Sequence, residues 1–177
     1  MIDSMSTNAP IEIVPYNPDW PRQFELERAA ILAAIKPFVS SIEHVGSTAI
    51  PGLVSKPVID ILIGVRRLKD APLFIPPLQA LGYTYIPSLE VDIPERRYLQ
   101  RIVENEHTHH LHIVEPRTAF YRDHILFRYY LRAHPDDAAR YAVLKLELAE
   151  IFHDDRESYT DGKNGFIQDI LQKAREL

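Results

Sequence analysis

A chain of 177 residues with 46 % hydrophobic and 25 % charged residues has the length and apolar content of one ordinary domain with a single core. Its net charge of −5 argues against a partner bound along a nucleic-acid backbone, and the absence of cysteine excludes disulfides, a thiol nucleophile and thiolate-bound zinc. Residues 1–10 lack the basic start and apolar core of a secretion signal, and no apolar run approaches the roughly 20 residues that span a bilayer, so no membrane partner and a cytoplasmic location are expected.

Residues 1–10 read as a loose leader, and residues 11–177 as a single domain. Asp19 is placed to cap a helix with Pro21 in its first turn and Trp20, Phe24, Ile31 and Ile35 along one face. Lys36-Pro37 ends it, because the residue before a proline avoids the helical region. Ser41–Val45 reads as a short strand, Gly46–Gly52 as a turn, and Val58–Val65 as a central strand buried on both faces. Residues 66–82 predict a short helix limited by Pro76 and Pro77. Strands follow around Tyr83–Ile86, Arg96–Val103 and His109–Glu115. Thr118 should cap a helix on which Phe120, His124, Phe127 and Leu131 share a face. His134-Pro135 opens another, with Tyr141, Leu144, Leu148 and Ile151 as its apolar stripe. Thr160 should cap a last one carrying Phe166, Ile170 and Leu171. Strands followed by a run of three helices point to α+β rather than alternating α/β.

Asp60 is the most informative residue. It interrupts Val58-Ile59-Asp60-Ile61-Leu62-Ile63, and a carboxylate there is costly unless it is paired, hydrogen-bonded or bound to a metal. It is therefore either a strand-end acid in a structural ion pair or a metal-binding, catalytic carboxylate. Just upstream, His44-Val45-Gly46-Ser47-Thr48 leaves a strand for a glycine-containing turn. Backbone N–H groups and the Ser47 and Thr48 hydroxyls could meet an anion there, and Lys56 follows as a phosphate contact. The segment matches neither the Walker nor the Rossmann glycine pattern. On the His109–Glu115 strand, Leu111 and Ile113 form the core face. His110 and His112, about 6.6 Å apart on the other face, could chelate one cation or orient a phosphate. His44 could join them; His107 and His109 read as partly exposed strand residues. Arg132 reads as solvated. Arg128, on the face of His124, and Lys163, at a helix junction beside Arg156 and Tyr159, are further candidates for phosphate.

These residues, in this order, resemble the GrpB family over about residues 11–175. The resemblance rests on residues 11–36, on Glu43-His44-Val45-Gly46-Ser47-Thr48-Ala49-Ile50-Pro51-Gly52-Leu53 followed by Lys56-Pro57-Val58-Ile59-Asp60-Ile61, and on His110-Leu111-His112. Residues 126–132, His134-Pro135, Asp155-Arg156, Tyr159 and Lys163 complete it. It implies an α+β, nucleotidyltransferase-like fold: a mixed β-sheet flanked by helices, with a C-terminal helical segment. Domains of this kind also occur fused to dephospho-CoA kinase. In nucleotidyltransferases a Gly-Ser turn holds nucleotide phosphates, and two acids one residue apart on the next strand hold two Mg²⁺ ions. This chain keeps Gly46, Ser47 and Asp60 but carries Leu62 in place of the second acid.

Three readings follow. The first is nucleotidyl or phosphoryl transfer to a small molecule. Gly46, Ser47, Thr48, Lys56, Arg128 and Lys163 would hold a nucleotide or other phosphorylated partner, Asp60 a Mg²⁺ or Mn²⁺ ion, and His44 would serve as base. Glu43 or Glu115 could stand in for the lost acid. The second is a nucleotide- or coenzyme-binding module without chemistry. The third is a histidine-site metalloenzyme in which His44, His110 and His112 hold Zn²⁺, Mn²⁺ or Ni²⁺; across the readings the metal-ligand candidates are Asp60, His110 and His112.

Overall fold

The computed structural model describes residues 10–177, so the expected leader lies outside the described residues except for Pro10. The elements in chain order are α1 (Trp20–Ile35), β1 (Val39–Val45), β2 (Ile59–Val65), α2 (Ala71–Ala80), β3 (Thr84–Tyr85), β4 (Arg96–Val103) and β5 (Glu106–Val114). The helices α3 (Ala119–Ala133), α4 (Pro135–Ile151), α5 (Arg156–Asp161) and α6 (Asn164–Arg175) complete the chain. The five strands form one sheet in the order β1-β2-β5-β4-β3. Only the central β2–β5 pair is parallel. The fold is α+β, a mixed sheet flanked by helices, and it is nucleotidyltransferase-like.

Alternation along β2 assigns the two faces. Ile59, Ile61, Ile63 and Val65 point into the main core, with Trp20, Phe24, Ile31 and Ile35 of α1, Phe74 and Leu78 of α2, and Leu111 and Ile113 of β5. Asp60 and Leu62 point the other way, where Val45, Leu62 and Val114 pack against Phe120, Tyr121 and Ile125 of α3. The C-terminal helices build a second apolar cluster around Tyr130, Leu131, Tyr141 and Ile170, which also takes up Ile50 and Leu53 of the turn after β1. Among the described residues no helix is long and apolar enough to cross a membrane.

Several local expectations are corrected. The Asp19 carboxylate does not cap α1; it accepts from Arg22 and Gln23. α2 runs through Pro76 and Pro77. Each of the two interior prolines costs about 3 kcal/mol, and burial of Phe74, Ile75 and Leu78 at about 1.5–3 kcal/mol each offsets this. Four helices, not three, follow the sheet: Thr160 lies inside α5, which Asp155 caps by accepting from Ser158 N–H, and α6 starts at Asn164. Ile151 is 68 % exposed. It falls past the end of the inner stripe of α4, where Phe152 takes the seat.

Candidate metal and anion site

The parallel pairing of β2 and β5 puts Asp60 beside His110 and Leu62 beside His112. His110 Nδ1 lies 3.1 Å and His112 Nε2 3.8 Å from Asp60 Oδ1. Tyr98, opposite His112 on β4, lies against both imidazoles. Burial pushes the Asp60 carboxyl up, but the pull of His110 and His112 reverses this and holds it well below the usual carboxylate range. Burial pushes His112 down to about 4, so at neutral pH a carboxylate faces a neutral imidazole. The His112 imidazole has no hydrogen-bond partner within 3.5 Å among the described residues. Its Nδ1 is buried without a partner, and 3.8 Å is too long for one at Nε2.

Two histidines that the sequence did not assign here join this face. Strict alternation places His107 with His109, away from His110. The β4–β5 ladder instead pairs Arg101 with His109 and Ile102 with His107, leaving Thr108 as an extra residue. That bulge turns His107 toward His110, with Nδ1 3.1 Å from His110 Nε2. His109 stays on the opposite face beside Arg101 and Glu27. From α3, His124 donates Nδ1–H to Phe120 O at 2.8 Å, which leaves Nε2 as an acceptor, and its ring lies 5.9 Å from that of His112. The signal for His107 was a threonine inside a histidine-rich strand, too weak to place a bulge. His124 needed the tertiary fold.

Gly46 is fixed by two constraints. Its φ of 70° and ψ of −172° suit glycine, and a Cβ would sit 2.3 Å from Asp60 Oδ2. The turn therefore brings bare backbone against the carboxylate. Ser47 interacts with the Tyr141 hydroxyl. The other polar groups of the turn are committed to holding it. Thr48 donates to Val58 O at 3.1 Å, so the Thr48 oxygen accepts from His44 Nε2–H at 2.9 Å. His44 points to the α1 side, stacked on Phe24 at 4.9 Å, and burial pushes it down to about 4. The structure thus does not bring His44 to the Asp60 cluster. Arg128, buried on α3, donates to Glu43 Oε2 at 2.9 Å and His44 O at 2.6 Å, so its guanidinium clamps β1 rather than facing the cluster. Arg132, expected to be solvated, donates twice to Ala49 O. Neither proposed substitute for the missing acid reaches Asp60: Glu43 pairs with Arg128, and Glu115 accepts from Leu68 N–H and pairs with Arg117. Leu62 itself is fully buried.

Lys56 and Lys163 converge from separate parts of the chain on the ring of Tyr159. Burial pushes Lys163 down to about 8, with the charge of Lys56 adding and Asp60 opposing. Burial also lowers Lys56, against the pull of Asp60. Between the two groups the face carries a cationic end and an acid–histidine end.

The donor set fits one divalent cation. A carboxylate oxygen of Asp60 and one imidazole nitrogen from each of His110 and His112 lie within 4.8 Å of one another. Bonds of about 2.1 Å in tetrahedral geometry bring donors to roughly 3.4 Å apart, a closure of a few tenths of an ångström for His112. His110 can bind through Nδ1 while its Nε2–H donates to His107, the arrangement that orients metal-bound imidazoles. Two nitrogens and one carboxylate suit Mn²⁺ or Zn²⁺ better than Mg²⁺, which takes oxygen donors.

Comparison with known proteins places the chain in a family. The family described as GrpB protein matches residues 10–173. The chain is 39 % identical over 165 residues to UPF0157 protein YqkA of Bacillus subtilis, covering 93 % of this chain and 47 % of that protein. A crystal structure of conserved protein GrpB from Enterococcus faecalis superposes with a TM-score of 0.84 at 34 % identity, covering 92 % of this chain and 96 % of that one. A more distant relative, 27 % identical over 188 residues, is a dephospho-CoA kinase of Mycolicibacterium paratuberculosis; the match covers 94 % of this chain and 46 % of that protein. The chain therefore spans about half the length of two of these relatives.

Proposed function

The chain belongs to the GrpB family, and on that premise we propose that it is a metal-dependent site for nucleotidyl or phosphoryl transfer on a small phosphorylated molecule. The observation that carries the reading is the convergence of Asp60, His110 and His112 beside the bare backbone of Gly46. Asp60 stays ionised, His110 and His112 supply nitrogen donors, and His107 orients His110. When bound, a Mn²⁺ or Zn²⁺ ion supplies Lewis-acid polarisation of a phosphoryl oxygen and neutralises part of its charge. The relative named as a dephospho-CoA kinase directs the choice of ligands to nucleotides and coenzyme A derivatives.

A second reading, a binding module without turnover, is favoured by one observation. Leu62 is fully buried where the second acid would stand, and neither Glu43 nor Glu115 replaces it.

Calorimetric titration with Mn²⁺ and Zn²⁺ tests the metal site. Wild type should bind one ion, and Asp60→Asn or His112→Gln should weaken binding about 100-fold or more. Equal binding by Asp60→Asn would remove the site. Metal-loaded protein mixed with ATP, CTP, GTP or coenzyme A and followed by phosphorus NMR then separates the readings: a new phosphorus species supports transfer, whereas bound but unchanged ligand supports the binding module.

A further inference from the structure

Tyr159 is 1 % exposed, yet two lysine amines share its ring: Lys56 Nζ lies 5.0 Å and Lys163 Nζ 4.4 Å from the centroid. One arrives from the segment before β2, the other from the junction between α5 and α6. Two ammonium groups on one ring repel, and each is attracted by the ring by only about 0.5–2 kcal/mol. Among the described residues neither Nζ forms a salt bridge or a hydrogen bond. A lysine that merely covers apolar surface carries its charge out into bulk water. Lys163 instead loses enough hydration, with Lys56 beside it, to be driven down to about 8. Asp60 is the carboxylate whose charge reaches both lysines, and it is already held by His110. Arg156 of α5 adds positive charge that reaches Lys56, Tyr98 and His107.

This arrangement lacks an anion of matching size. The two ammonium groups face one carboxylate that His110 already holds, and the oxygens of a lone phosphate all sit on one centre. A chain of two or three phosphates offers separate oxygens to the two amines that share the ring. We propose that Lys56 and Lys163 anchor a phosphoanhydride, the diphosphate or triphosphate tail of a nucleotide or coenzyme, whose adjoining phosphate reaches the Asp60 cluster. The last clause rests on the proposed metal site; the anchoring by the lysines stands apart from it.

Calorimetric titration of the full chain with inorganic diphosphate, tripolyphosphate and orthophosphate, with and without Mn²⁺, tests the assignment. Wild type should bind diphosphate and tripolyphosphate at least about tenfold more tightly than orthophosphate. Lys56→Gln and Lys163→Gln should each weaken diphosphate binding about tenfold, and the double variant about 100-fold. Lys163→Arg should restore most of the loss, which separates missing charge from misfolding. Mn²⁺ binding in the absence of diphosphate should be unchanged in Lys163→Gln. Equal diphosphate binding by wild type and the double variant, or orthophosphate bound as tightly as diphosphate, overturns the assignment. Mn²⁺ binding by wild type without any diphosphate binding overturns it while leaving the metal site standing. Lysine-dependent diphosphate binding without Mn²⁺ binding supports it and removes the metal site.

Discussion

The two faces of the sheet carry nearly the same chemistry in opposite states of completion. On the α1 face, Glu27 accepts two bonds from Arg101, at 3.0 and 2.8 Å, and a third from the Tyr83 hydroxyl at 2.7 Å, with His109 beside Arg101. On the α3 face, Asp60 meets His110 and His112, one of them beyond hydrogen-bond distance, and an imidazole nitrogen of His112 is buried with no partner. Each cluster combines a carboxylate, a histidine and a tyrosine on β4 and β5 or packed against them. The first has a guanidinium that satisfies its acid and is closed. The second has donor atoms left over, as a site for an added ion requires.

Breaking the closed cluster should give the largest effect. Glu27→Ala leaves the Arg101 guanidinium without its counter-ion in a mostly buried place, and about 3 kcal/mol of stability should be lost. Urea unfolding measures this, and the variant, while folded, should bind Mn²⁺ like wild type. Asp60→Ala is the counterpart on the open face: it should abolish metal binding at a much smaller cost in stability. If the two variants lose similar stability, the contrast between the faces fails.

A smaller effect is expected where the open cluster meets the turn. Gly46→Ala pushes a methyl to 2.3 Å from Asp60 Oδ2 at a φ of 70°. A loss of about 2 kcal/mol follows from strain and displacement together, and Mn²⁺ affinity should fall about tenfold as the carboxylate moves. Titration of a folded Gly46→Ala variant that keeps wild-type affinity would show that the carboxylate position is not set by the turn.

Period-two alternation was enough to read the open face in part. Asp60 among apolar neighbours, and His110 and His112 one step apart, were legible because β2 and β5 are regular there. The parallel pairing that joins them was not, since nothing local to either strand encodes its neighbour. His107 was misread because a bulge at Thr108 reverses the parity on which the reading depended. Arg128 and His44 were misassigned for a different reason. Residue type shows that a group can meet phosphate, but only the fold shows that Arg128 is already bound to Glu43 and His44 to Thr48. The helix boundaries failed where burial overrode proline in α2, and where Asp155 rather than Thr160 supplied a cap.

The smallest effect concerns acid, and it again separates the faces. His44 lies on the closed side, held neutral by burial with its pKa pushed down to about 4. Unfolding returns it to the ordinary value near 6.5, so between these values the unfolded chain binds the extra proton. The stability due to a neutral His44 is complete above about pH 6.5 and is lost as the pH falls toward 4. One such proton gives a slope of at most about 1.4 kcal/mol per pH unit. His44→Gln keeps a donor for Thr48 but cannot take up that proton, so its stability, measured by urea unfolding in chelator, should fall less steeply below pH 6.5. Chelator keeps competition between protons and metal at His110 and His112 out of the measurement. Parallel curves for the two proteins would mean that His44 is not the group resisting protonation, and would shift that role to His109 on the same face or to His107 and His112 on the open one, all also held near 4 by burial.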